Sequence, residues 1–270
     1  MYGINNQKIT LGLTGVILKE DIANTINLKH YLEKETKLNI EIRFIKSYSE
    51  MKTSITNGDV DIAYICGATY IDLKSTNQIN LLVLPILNGK PSYESIIITQ
   101  TNSPYNSLFS LKNKIFAISD KESNSASLVP QYMIYKQGLN YESFFKRIII
   151  TYDHGESIDA VLSGYVDAAS VDSVVYKAFI NKNPKKSKKL KVINRFGMYP
   201  IPPFVIRTSV DNKIKEKLVK AFINMNSDNL GKVILKSMAI DGFILPKNIS
   251  YEKIKKIKNY LKLRNNHNVK

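Results

Sequence analysis

The chain has 270 residues, 44% of them hydrophobic, which is enough to bury a sizeable core as one large domain or two modest ones. Its formal net charge of +16 does not make it a nucleic-acid binder, because apart from Arg43, Arg147, Arg195, Arg207 and Arg264 the cations are lysines, and base readout favours arginine. Uncharged apolar runs such as INLLVLPIL end after about nine residues, half the length of a membrane span.

The elements alternate from the start. KITLGL (8–13) and LNIEIRF (38–44) read as strands around a helical segment from Ile22 to Lys37. SYSEMKTSITNG then reads as a helix closed by Gly58, and VDIAYI as a buried strand. LLVLPIL and YESIIIT (93–99) follow as strands. The pattern restarts with strand KIFAIS, a helix from about Ser125 to Gln137, strand RIIIT, helix GESIDAVLSG and strand VDAASV. NKNPKKSKKLK (181–191) reads as a solvated loop, VDNKIKEKLVKAFINMN as an amphipathic helix, and EKIKKIKNYLKLRNN (252–266) as an amphipathic terminal helix. This is α/β wiring with a mainly parallel sheet.

The restart contains a repeat. Residues 58–70, GDVDIAYICGATY, align without a gap on residues 164–176, GYVDAASVDSVVY, through Gly58 and Gly164, Val60 and Val166, Asp61 and Asp167, Ala63 and Ala169, and Tyr70 and Tyr176. Each copy describes a helix ended by glycine, a buried strand and a turn into the next helix. Two similar lobes are therefore expected. The chain crosses between them near YESIIIT and returns near YPIPPFVIR, which places lobe 1 at 1–97 plus 203–270 and lobe 2 at 98–202. Ligands of open α/β sheets bind at the carboxyl ends of strands, so the expected site is a cleft between the lobes.

Chemistry-bearing motifs are few. Cys66 is alone, and His30, His154 and His267 lack metal-ligand spacing, so no metal site is expected. A nucleophile elbow, a P-loop, HExxH and a dinucleotide fingerprint are all missing, so neither catalysis nor a cofactor is expected. The informative stretch is SDKESNSASLVP (119–130), which lies between a strand and a helix. One helix cap needs one small polar residue. Ser123, Asn124, Ser125, Ala126 and Ser127 supply a surplus of donors at a helix start, where the suited partner is an anion.

GDVDIAY, NGKPSYESIII, SLKNKIFAISDKESNSASLVP, the GESIDAVLSGYVDAASVDS block and YPIPPFV, in this order and spacing, resemble the phosphate/phosphonate/phosphite-binding periplasmic protein family, over about Ile9 to Leu245. The resemblance implies a type II periplasmic-binding-protein fold: two α/β lobes, a two-strand hinge and a cleft that closes on a tetrahedral oxyanion. The implied function is capture of such an anion for an ABC importer, with the permease as partner. The alternative is the ligand-sensing input domain of a membrane sensor kinase with the same fold. The implied binding residues are Tyr48, Tyr93, Ser123, Asn124, Ser125, Ala126, His154 and Asp172. A monomer is expected, on the periplasmic or extracellular face of the cytoplasmic membrane. No n-region, h-region and cleavage site opens the sequence, so any export signal is absent from the protein or from this stretch of it.

Two expectations concern ligand identity. Where aminoalkyl-phosphonate binders of the family place acidic residues, this chain has Val174 and Pro202, which predicts poor binding of aminoethylphosphonate. Asp172 can only accept when ionised, which predicts preference for a protonatable phosphorus or arsenic oxyanion over sulfate, by roughly 3 kcal/mol. Asp61 and Asp167 read as scaffold, and Cys66 as a small buried thiol.

Overall fold

Runs rich in β-branched residues such as SIIIT and RIII form strands, and segments of 3.6-residue period between them form helices. The computed structural model describes residues 8–17 and 22–267. In chain order β1 (Lys8–Leu13), α1 (Ile22–Thr36), β2 (Asn39–Phe44), α2 (Tyr48–Asn57), β3 (Ile62–Tyr64), α3 (Gly67–Lys74) and β4 (Ile79–Ile86) come first. Next are β5 (Ser92–Gln100), β6 (Ile115–Ile118), a π-helical turn (Asn124–Leu128), α4 (Val129–Lys136), α5 (Tyr141–Phe144), β7 (Arg147–Ile150), α6 (His154–Leu162), β8 (Ala168–Asp172), α7 (Ser173–Lys182), α8 (Pro184–Ser187) and β9 (Leu190–Pro200). The chain ends with β10 (Phe204–Arg207), α9 (Asn212–Ile223), α10 (Asn229–Ser237), β11 (Gly242–Ile244) and α11 (Glu252–His267).

Two units result. Unit 1 comprises Met1–Ser92 and Ile201–Ile249, and unit 2 comprises Tyr93–Pro200 and Ser250–Lys270. The sheet of unit 1 has the order β11-β4-β10-β3-β1-β2. Within it β1 is parallel to both β2 and β3, while β10 returns antiparallel between β3 and β4. In unit 2 the order is β7-β6-β8-β5-β9, with β6 parallel to β7 and β8, and β5 antiparallel to β8. Each unit thus has three parallel strands on one side of its sheet, β3-β1-β2 and β7-β6-β8, continued by an antiparallel strand from a crossing segment, β10 and β5. Stacked or tilted rings fill the core of unit 1, where Phe204 meets Tyr64 at 4.5 Å and Phe222 at 4.8 Å between centroids.

Four details differ from expectation, the first being that residues 181–191, expected as a solvated loop, hold the end of α7, the short helix α8 and the start of β9. The crossings fall at 92/93 and 200/201, a few residues before the expected 97/98 and 202/203. The terminal helix belongs with unit 2, where lobe 1 was expected: Ile254, Ile257 and Leu261 are buried and the Tyr260 ring meets Tyr132 edge-on at 5.1 Å. An amphipathic stripe declares that it will be covered but not by which surface. Finally, the helix expected from Ser125 is divided. Ser127 and Leu128 N–H both donate to the Ser123 carbonyl, which widens the first turn, and regular helix starts at Val129 with Pro130 in its first turn.

Candidate anion site in unit 2

The SNSAS turn is buried throughout, with Ser123, Asn124, Ser125, Ala126 and Ser127 each at most 1% exposed. Ser123 is the cap: its hydroxyl accepts from Ala126 N–H at 3.1 Å. Ala126 therefore spends its N–H on the cap. Asn124 Nδ2 donates to the Tyr93 hydroxyl at 2.9 Å, joining two of the expected residues. Ser125 is placed differently. Its carbonyl accepts from the Ser95 and Ser170 hydroxyls, both at 2.7 Å, while neither its N–H nor its hydroxyl makes a hydrogen bond among the described residues. The carbonyl is anchored to β5 and β8, and both donors are left over.

Asp172 ends β8 and caps α7, with Oδ1 accepting from Val174 N–H at 2.7 Å and Val175 N–H at 3.4 Å. The other carboxylate oxygen makes no hydrogen bond among the described residues. Burial raises this carboxyl to about 7, against the pull of the two backbone N–H groups, which lowers it. His154 is the first residue of α6 and 1% exposed. Its Nδ1 accepts from the Asp172 N–H at 3.3 Å, which leaves the proton on Nε2, 3.4 Å from Ser119 Oγ. Desolvation lowers this imidazole to about 3, so it is neutral at physiological pH.

Of the expected residues the structure joins Asn124 to Tyr93 and His154 to Asp172 by hydrogen bonds, within unit 2. Tyr48 lies in unit 1, as the first residue of α2, buried behind the Ser47 cap. Cys66 is buried at the N-cap of α3. Among the described residues no cluster of three metal-ligating side chains occurs. Residues not singled out from sequence support the site: Ser95 and Ser170 hold the Ser125 carbonyl, Ser119 faces His154, and Asp153 caps α6 through Gly155 and Glu156 N–H. A serine inside an apolar strand, as in SIIIT or AASV, was the available signal, because a buried hydroxyl requires a partner.

Two mixed α/β units, each built from two stretches of chain and the first completed by a returning antiparallel strand, define the type II fold of solute-binding proteins. A binding protein component of an ABC phosphonate transporter from Pseudomonas aeruginosa shares it with a TM-score of 0.86, over 95% of this chain and 87% of that one at 20% identity. PhnD1 from Prochlorococcus marinus, solved in complex with methylphosphonate, shares it with a TM-score of 0.83, over 95% and 98% at 19% identity. At such identity the likeness establishes the fold. Residues 20–251 match the family described as the periplasmic substrate-binding protein of the phosphonate ABC transporter, and the chain belongs to that family. The phosphonates-binding periplasmic protein of Escherichia coli K12 is 26% identical over 213 residues, 77% of this chain. This chain spans 62% of the length of that relative. The probable phosphite binding protein PhnD1 of Prochlorococcus marinus MIT 9301 is 23% identical over 239 residues, 83% of this chain and 80% of its own length. Members of the family are extracytoplasmic binding components of importers and not enzymes.

Proposed function

We propose that the chain captures a small phosphorus oxyanion without an amine, such as methylphosphonate, phosphite or hydrogen phosphate, and presents it to an ABC permease. The carrying observation is Ser125, buried, with its carbonyl anchored and both its N–H and O–H unpaired among the described residues. Two adjacent donors at the start of a helix suit an anionic oxygen, and charge-assisted bonds contribute roughly 1.5 to 3 kcal/mol each. The Nε2–H of His154 is a third donor, because its 3.4 Å contact with Ser119 is long enough for a charged oxygen to outcompete. Ser123 and Asn124 shape the turn, and Asn124 orients Tyr93. Tyr48 enters the reading through the family likeness. The printed names of the relatives, phosphonate, phosphite and methylphosphonate, support the ligand class. The family description supports transport over sensing. We extend the reading to a monomer on the outer side of the cytoplasmic membrane.

Asp172 refines the selectivity. With its carboxyl raised to about 7 it carries a proton part of the time at neutral pH, so it can accept from a protonated ligand or donate to an ionised one. Discrimination against sulfate is therefore a property of the ionised carboxylate. The gap between methylphosphonate and sulfate affinity is expected to be wide at pH 8 and to narrow at pH 5.5. Calorimetric titration of phosphate, phosphite, methylphosphonate, aminoethylphosphonate and sulfate tests the reading. Preference for aminoethylphosphonate or sulfate at pH 8 would overturn it, as would unchanged affinity after Ser123→Ala with Ser125→Ala.

A further inference from the structure

Tyr93 is held at two places within unit 2. Its hydroxyl accepts from Asn124 Nδ2 at 2.9 Å, and its ring meets the Tyr199 ring at 6.2 Å between centroids, tilted by 59°. Both tyrosines are buried. Accepting from the amide turns the phenolic proton away from it, so the direction in which Tyr93 donates depends on where its ring is held. Asn124 fixes the hydroxyl end of the side chain, and Tyr199 fixes the ring.

Tyr199 is itself held by residues outside the expected site. It lies near the end of β9, where Gly197 has φ of 65° and a Cβ would stand 2.7 Å from two carbons of the Tyr199 ring. Only glycine leaves that ring its place. From α11, the Lys253 Nζ sits over the same ring, 4.7 Å from its centroid, and donates to the Met198 carbonyl at 3.2 Å. One ammonium thus ties the ring and the strand backbone together. The helix that carries Lys253 also packs on α4 and on the turn at 124–128. A cation–aromatic contact, an aromatic pair and a hydrogen bond therefore run in series from the exposed Lys253 through Tyr199 and Tyr93 to Asn124 in the anion turn, all within unit 2.

We infer that Tyr199 and Lys253 are positioning residues for oxyanion binding, which act through the Tyr93 ring so that an exposed lysine of the terminal helix tunes the affinity of a buried site. The inference rests on the oxyanion reading above, with Tyr93 as one of its donors. The test titrates the full chain with methylphosphonate and with inorganic phosphate. Tyr199→Leu removes the ring and is expected to lose affinity about tenfold, while Tyr199→Phe keeps the ring and is expected to restore it. Lys253→Met keeps the apolar stem but not the charge and is expected to lose about threefold, with Lys253→Arg, which also stacks on aromatic faces, restoring it. Tyr93→Phe separates positioning from general loosening. Once the Tyr93 hydroxyl is gone there is nothing left to aim, so Tyr199→Leu and Lys253→Met are expected to cost no further affinity in that background. Equal losses with and without the Tyr93 hydroxyl overturn the inference. Wild-type affinity in Tyr199→Leu also overturns it and leaves the Ser125 site standing. A wild type that binds none of phosphate, phosphite and methylphosphonate overturns the oxyanion reading and this inference with it. Should Tyr199→Leu melt too low to titrate, Lys253→Met, at an exposed position, is read in the same cycle with Tyr93→Phe by the same criterion.

Discussion

The two copies of the internal repeat are built alike and finished differently. Gly58 and Gly164 end their helices in the left-handed region, with φ of 88° and 76°. Asp61 donates its backbone N–H to the Thr10 carbonyl of β1 and accepts Thr10 N–H on its carboxylate at 2.9 Å; Asp167 does the same with Ile115 of β6, accepting its N–H on the carboxylate at 2.8 Å. Each aspartate thus pins the neighbouring strand. Even the second oxygens are used in parallel, on Arg207 in one unit and Tyr105 in the other. Beyond the strand the copies part. Cys66 leaves α3 without a side-chain cap, while Asp172 caps α7 with a buried carboxylate. Positions that align between the copies build the scaffold, and positions that diverge set how the following helix start is finished.

Breaking the divergent ends has the largest expected effects. Asp172 has an ordinary value of 3.8 and is raised to about 7, so the folded state holds a proton that the unfolded chain has released. Its contribution is full below pH 3.8 and is lost as pH rises to 7, by about 4 kcal/mol over the window. Asp172→Asn removes that loss, so in urea melts it should gain stability over wild type at pH 8 and show little difference at pH 4. His154 opposes this. Its ordinary 6.5 is lowered to about 3, so its contribution is present above pH 6.5 and lost as pH falls towards 3. His154→Gln should remove a loss of about 2 kcal/mol at pH 5, leaving a variant whose stability rises more steeply on acidification than that of wild type. A flat difference between variant and wild type across pH would show that these groups are not desolvated as described.

Ligand affinity comes next. Ser123→Ala with Ser125→Ala is expected to weaken oxyanion binding about a hundredfold, roughly 3 kcal/mol, because the cap that shapes the turn and the Ser125 hydroxyl donor are lost together. Calorimetry checks this, with circular dichroism to confirm that the turn still folds. The smallest effect sharpens the likeness between the copies. A methyl at either glycine is strained at positive φ, but at Gly58 it also meets Arg207 Nη1 at 2.8 Å, whereas at Gly164 the nearest atom is Gln100 Nε2 at 3.6 Å. Gly58→Ala should therefore cost about 2 kcal/mol and Gly164→Ala about 1, measured by denaturant titration.

How much of this could be read from the chain depends on how far apart in sequence the interacting atoms lie. The strand and helix order, the left-handed glycines, the scaffold role of Asp61 and Asp167 and the polar turn at 123–127 all follow from period, steric freedom and capping, which act within a few residues. The same local rules could not say which donors of the turn remain for a ligand. Ala126 loses its N–H to Ser123, whereas Ser125 is held through its carbonyl by serines on two other strands, 30 and 45 residues away. Nor could they give the surface that covers α11, which is supplied from Tyr132 and its neighbours more than a hundred residues upstream. Sequence by itself determined the elements, the repeat and the family. Only the tertiary structure decided which polar groups were satisfied, because satisfaction of a buried group depends on partners that long-range packing brings within about 3 Å.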